Sequence, residues 1–195
     1  LSKNLTLSKA MNRFFNPFRY IAGAKALILG LVFIAASALM LYSGNLIQDS
    51  YIHIGMADAS LWLVLAMQVA WWLMPTSLLY ICGVALSKSK IRFIDILGTT
   101  AFAQLILLLM IAPMLLPAVM NNTLELVAAL QSGAMPDMAT YIPLMIYGVW
   151  SIAGLVLFYI WNYNAFATSC NVSGWKAVLA FIGAQIICTV AGMFV

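Results

Sequence analysis

SLWLVLAMQVAWWLMPTSLLYICGVAL, residues 60–86, runs without a charge and is followed at once by Ser87-Lys88-Ser89-Lys90-Ile91-Arg92. The run exceeds the roughly 20 apolar residues a helix needs to cross a bilayer. The basic cluster that closes it marks the side on which that end is retained. Reading outward, four more uncharged apolar runs follow the same rule: 26–47, 96–120, 143–162 and 177–195. Every basic residue falls in alternate connections between these runs. Lys3, Lys9, Arg13, Arg19 and Lys25 precede the first, Lys88, Lys90 and Arg92 lie between the second and third, and Lys176 lies between the fourth and fifth. The intervening connections hold Asp49, Asp58, Glu125 and Asp137 and neither lysine nor arginine. The pattern predicts an all-α integral membrane protein of five transmembrane helices, N-terminus cytoplasmic and C-terminus outside. Residues 1–25 form a cytoplasmic amphipathic segment and 26–195 the transmembrane domain.

Composition agrees. With 65% hydrophobic and 7% charged residues, the chain cannot cover a core with polar surface as a soluble domain does, where about 25% charged is usual. The net charge of +4 is confined to one face and does not point to nucleic acid. Lys9, Arg13, Arg19, Lys25, Lys88, Lys90 and Arg92 are expected to meet anionic lipid headgroups, each worth about 1 kcal/mol. Cys82, Cys170 and Cys188 have no metal-ligand spacing, and no disulfide is expected of them. The sequence opens at Leu1, with Met11 as an alternative start, and its basic first 25 residues, interrupted by Pro17, do not read as a cleavable signal peptide.

Leu7, Met11, Phe14, Phe15 and Phe18 follow helical spacing, with Lys9, Asn12, Arg13 and Asn16 turned mostly the other way, as in a helix lying at the membrane interface. Asn16 and Pro17 read as the N-cap and first residue of the helix that follows. In the connection 121–141, Leu124, Val127 and Leu130 predict a short helix capped by Asn122 or Thr123 and ended by Gly133 and Pro136. A weak repeat relates the later spans. Leu78-Leu79-Tyr80-Ile81 matches Leu157-Phe158-Tyr159-Ile160, Trp71 matches Trp150, and Ala103-Gln104-Leu105-Ile106 matches Ala184-Gln185-Ile186-Ile187. The second and third spans would then correspond to the fourth and fifth as two helical hairpins in parallel orientation.

Residues that bear chemistry are few. His53, the only histidine, stands between Asp49 and Asp58 in a polar loop; that composition is commonplace and predicts no metal site. Cys170 beside Ser169 and Thr168 has no nearby histidine to activate it, and a polar turn explains it. Neither an enzyme nor a cofactor is expected. No span carries a charge near its centre, where ion-coupled transport usually leaves one. The polar groups at depth are Gln68, Gln104 and Gln185, candidate helix-to-helix contacts first and lining of a substrate path second. Asp95 is the one acid on the basic side and aligns with Lys176 in the repeat, so the two are candidates for an ion pair across the hairpins; local pairing of Asp95 with Arg92 is the simpler alternative. Ala22, Ala26 and Gly30, and Gly148, Ser151 and Gly154, give the first and fourth spans small-residue faces for close packing.

The chain resembles the Yip-domain family of five-span membrane proteins, and most of all its bacterial branch. The resemblance covers nearly all of the chain and rests on Asn16-Pro17-Phe18-Arg19, Phe93-Ile94-Asp95-Ile96-Leu97 and Ser173-Gly174-Trp175-Lys176-Ala177. The chain lacks the Asp-Leu-Tyr-Gly-Pro type of segment seen in eukaryotic members, so their Rab-GTPase and vesicle-traffic roles do not carry over. What the resemblance implies is a non-catalytic accessory or scaffold protein of the bacterial inner membrane. Its partner would be another integral membrane complex, an ABC-type export system being one such class. A small transporter or lipid-handling protein is the alternative.

Overall fold

The computed structural model describes residues 11–133 and 135–194. Its helices are α1 (Gly23–Ser43), α2 (Leu61–Leu86), α3 (Phe93–Ile111), α4 (Pro117–Ser132), α5 (Met138–Ser169) and α6 (Trp175–Ala191). A helical turn at 11–15 and a 3-10 turn at Pro17–Arg19 precede them, and a second 3-10 turn, Ala112–Leu115, extends α3. The one β element among the described residues is a two-residue antiparallel ladder, β1 (Leu46–Ile47) with β2 (Gly55–Met56).

Among the described residues four helices are long and apolar enough to cross a membrane: α1, α2, α3 with its 3-10 extension, and α5. The fifth, α6, is apolar but has 17 residues. At 1.5 Å per residue it is about 25 Å long, short of the roughly 30 Å hydrocarbon core. The fourth span is longer than its apolar run suggested, because Asp137 caps it by accepting from the Ala139 amide and Pro143 is accommodated near its start. The short helix α4 also starts earlier than expected. Pro117 sits at its beginning, which spares an N–H that would be unpaired there, so Asn122 and Thr123 are interior and bond back to the carbonyls of Ala118 and Val119. Gly133 does end it, in the left-handed conformation at φ 71°.

α3 is the most buried span and α5 the least. α1 lies against α3 through small residues. Gly30 abuts the Ala101 main chain, Gly98 abuts the Gly23 carbonyl, and Ala26 is fully buried nearby. Ala22, by contrast, is exposed and precedes the helix. On its other side α3 meets α5, where Phe102 and Trp161 stack with ring centroids 5.9 Å apart. α6 packs mainly on α2, so each of the two later hairpins touches the other more than itself.

The N-terminal segment departs from expectation. Leu7 and Lys9 lie outside the described residues. Asn16 makes no capping bond, the Pro17–Arg19 turn ends at Tyr20, and α1 begins only at Gly23, whose φ of 62° turns the chain. Phe18 is not interfacial. It is buried edge-on against Phe102 and Trp161, because the α3–α5 seam offers an aromatic socket that one helical face of residues 11–18 cannot match.

Candidate functional site

The described basic residues collect at one end of the bundle. Arg13, Arg19 and Lys25 sit before or at the start of α1, Lys88, Lys90 and Arg92 join α2 to α3, and Lys176 opens α6; all are exposed. Gly98 against Gly23 and Gly83 against Cys170 bring these helix ends together. Asp49, Asp58 and Asp137 lie in connections at the opposite ends of the helices, and Glu125 lies within α4 between α3 and α5.

Asp95 stays with its own helix. The Arg92 Nε and Nη2 donate to its carboxylate at 2.9 and 3.1 Å. This corrects the cross-hairpin pair with Lys176: Arg92 is three residues away at the same helix start and reaches both oxygens without ordering another element. The carboxylate raises the pKa of Arg92. The Lys176 ammonium instead lies 5.7 Å from the Trp175 ring centroid, and Lys88, Ser89, Asn171, Ser173 and Lys176 line an open pocket of about 380 Å³ between the two basic connections.

Side-chain hydrogen bonds tie α3 to its neighbours. The Thr100 hydroxyl accepts from Trp72 Nε1 at 3.2 Å and pairs with the Thr76 hydroxyl at 2.9 Å. Thr99 and Ser169 pair at 2.8 Å, and Ser169 donates to the Asp95 carbonyl. Near the middle of α5, Trp150 Nε1 donates to the Leu109 carbonyl at 3.1 Å.

Gln68, Gln104 and Gln185 are all buried, on α2, α3 and α6. Among the described residues no hydrogen bond joins any two of them. The Nε2 of Gln68 and both amide atoms of Gln185 have no protein partner, nor do Trp71 Nε1, Trp161 Nε1 and the Tyr51 hydroxyl. Tyr51 was not singled out in the sequence, although it is an aromatic residue inside a polar loop. Its loop folds down onto the end of α6, with Gly192 against Ser50 and the Tyr51 ring 6.3 Å from that of Phe158. Burial holds the Tyr51 pKa well above the ordinary phenol range, with Tyr159 and Cys188 adding to it and the neighbouring Gln185 opposing it. Gln185 stands beside the hydroxyl but outside hydrogen-bond geometry.

No group of three or more metal-ligating side chains occurs among the described residues. His53 and Asp49 form an exposed pair at 2.7 Å, and Asp58 does not join it. The three cysteines are free. Cys170 is buried against Gly83 with its thiol pushed up to about 12 by burial, the reverse of what a nucleophile needs.

The helices and their hydropathy define the class: an all-α protein with the features of a helical membrane protein. The chain matches no known family model, no curated protein and no solved structure.

Proposed function

We propose that the chain is a non-catalytic accessory or scaffold protein of the bacterial inner membrane, of the Yip-like type, that works by binding another integral membrane protein. In this reading α6 is the fifth span, the basic end faces the cytoplasm and the two later hairpins are a repeat; the hairpin-on-hairpin packing supports the last point. An ABC-type export complex is one candidate partner.

The observation that carries the reading is the outer half of α5. Ile142, Met145, Ile146, Val149, Ile152 and Val156 form one exposed apolar face, and Gly148 beside it has open space where a Cβ would stand. Lipid tails are as apolar as this face, so partner binding in a bilayer depends on close backbone approach, which a glycine permits. The test is mass spectrometry of the complex isolated from native membranes in mild detergent, compared with Gly148→Leu. A stoichiometric companion that is lost in the variant, with thermal stability retained, supports the reading. Isolation of the chain alone or as a homo-oligomer overturns it.

The unpartnered atoms of Gln68, Gln185 and Tyr51 favour a transporter or lipid-handling protein as the second reading. Burying such groups without a partner costs about 1–3 kcal/mol each, a cost relieved if they meet solute or water during function. Reconstituted alone, a transporter should move solute or lipid and lose rate on Gln185→Leu. A scaffold should tolerate that change or gain stability from it.

A further inference from the structure

Two pockets adjoin where the N-terminal segment crosses α5, and their chemistries are opposite. The first, of about 430 Å³, is lined by Asn12, Phe15, Asn16, Arg19, Tyr20 and Asn164. The second is an almost wholly apolar groove of about 240 Å³ on the α3–α5 seam, between Phe14, Met110, Ala153, Gly154 and Leu157, and reaches Trp150. Phe14 and Phe15 are neighbours, with ring centroids 5.3 Å apart, so a single turn of chain separates the two spaces.

The polar pocket is held in shape and retains unused bonding capacity. Asn164 donates to the Phe15 carbonyl at 2.9 Å, and Asn16 donates to the Thr168 hydroxyl at 3.4 Å, which clamps the segment onto α5. The Oδ1 of Asn16 is buried with no partner. Arg19 is exposed and has no carboxylate partner among the described residues. Beside it, the Arg13 guanidinium lies 4.9 Å from the Tyr20 ring centroid. The site therefore offers a cation for an anionic oxygen and an acceptor for a hydrogen-bond donor.

The dimensions fit one molecule. Trp150, Ala153, Gly154, Leu157, Trp161 and Asn164 recur at helical spacing along one face of α5. From Asn164 to Trp150 is about 21 Å at 1.5 Å per residue. One leaflet, headgroup included, is about 20–22 Å deep. The two pockets together thus cover about one leaflet of α5, the polar one at Asn164 and the apolar groove from Leu157 to Trp150, with the buried Trp161 between them under Phe14.

We infer that this composite cleft binds one glycerophospholipid from the leaflet on the basic side. Its phosphate lies on Arg19, a headgroup donor lies on Asn16 Oδ1 and an acyl chain lies in the α3–α5 groove. The inference rests on the membrane reading above but not on the partner protein. A general attraction of basic residues for anionic lipid would involve Lys25 equally; a built site would not.

The experiment is native mass spectrometry of the delipidated full chain in detergent, titrated separately with phosphatidylglycerol, phosphatidylethanolamine and phosphatidylcholine. The first two carry a headgroup donor and the third does not. One molecule per chain should be retained, with phosphatidylcholine the weakest. Arg19→Gln should weaken binding about fivefold, Ala153→Phe should weaken it by filling the groove, and Lys25→Gln should leave it unchanged. Ala153→Leu replaces Ala153→Phe if the larger side chain prevents folding. Equal retention of all three lipids, an equal loss in Lys25→Gln and Arg19→Gln, or no loss in either site variant overturns the proposal. A lipid-bearing chain without a companion protein sinks the scaffold reading alone, and a companion without the lipid sinks this site alone.

Discussion

Gly98 rests on the carbonyl of Gly23, so α1 and α3 cross with main chain against main chain. About two turns further along α1, Gly30 meets the Ala101 backbone in the same way. A side chain at either position cannot be absorbed by a rotamer change, because what it meets is backbone. Gly98→Leu and Gly30→Leu should each cost about 1–3 kcal/mol, the usual range for overpacking, read as a lowered melting temperature in detergent. Gly148→Leu, which meets open space, should leave the melting temperature nearly unchanged.

The Trp72, Thr76 and Thr100 cluster joins α2 to α3 inside the bundle. Thr100→Val removes the acceptor of Trp72 and the partner of Thr76 together. The expected loss is about 1 kcal/mol, in line with interhelical hydrogen bonds in membranes. Thr76→Val combined with Thr100→Val should destabilise less than the sum of the two, since both delete one shared bond. Additive unfolding free energies would show that the cluster is not coupled.

Asp95 and Arg92 form a local pair at the solvent-facing start of α3. Exposed ion pairs of this kind contribute little, because solvent screens them. A thermal-denaturation cycle of Asp95→Asn with Arg92→Gln should show that small coupling, and salt should weaken it. The corresponding cycle with Lys176→Gln should be additive.

Cys170 is fully buried at the end of α5, against Gly83. With its thiol pushed up to about 12, it is protonated at neutral pH and should resist maleimide unless the protein is denatured. The raised value also sets the sign of its pH effect. Below the ordinary thiol value of 9.0 the group adds no pH dependence. Above it the unfolded thiol ionises while the folded one does not, so stability falls as pH rises from 9.0 towards about 12. Rapid labelling of the folded protein at neutral pH would contradict the burial.

How far the fold was legible depends on which physical signal each residue carries. Charge-free length is a one-dimensional property, so the runs at 26–47, 60–86 and 96–120 translate almost directly into α1, α2 and α3 with its extension. The start of α5 was obscured because Asp137 reads equally as a loop acid and as an N-cap. Phe14, Phe15 and Phe18 read as one apolar face, yet their fates differ: Phe18 is buried while Phe14 and Phe15 are exposed. Nothing within residues 11–18 encodes that difference; it depends on Phe102 and Trp161, far away in sequence. The Asp95 pairing was legible from three-residue spacing alone. The two pockets at Arg19 with Asn164 and at Phe14 with Trp150 were not, since they exist only once the segment lies across α5.

The seating of Tyr51 beside Cys188, with Ser50 under Gly192, has a consequence for biogenesis. The loop carrying Tyr51 precedes α2 in the chain, and α6, which it packs against, is synthesised well over a hundred residues later. At about 5–20 residues per second the loop waits on the order of ten seconds for the helix it will cap. During that interval the Tyr51 phenol and the surface of α2 that α6 will cover have no final partner. The Tyr51 seat is therefore completed only when α6 arrives, so the folding of this early loop depends on a helix made much later.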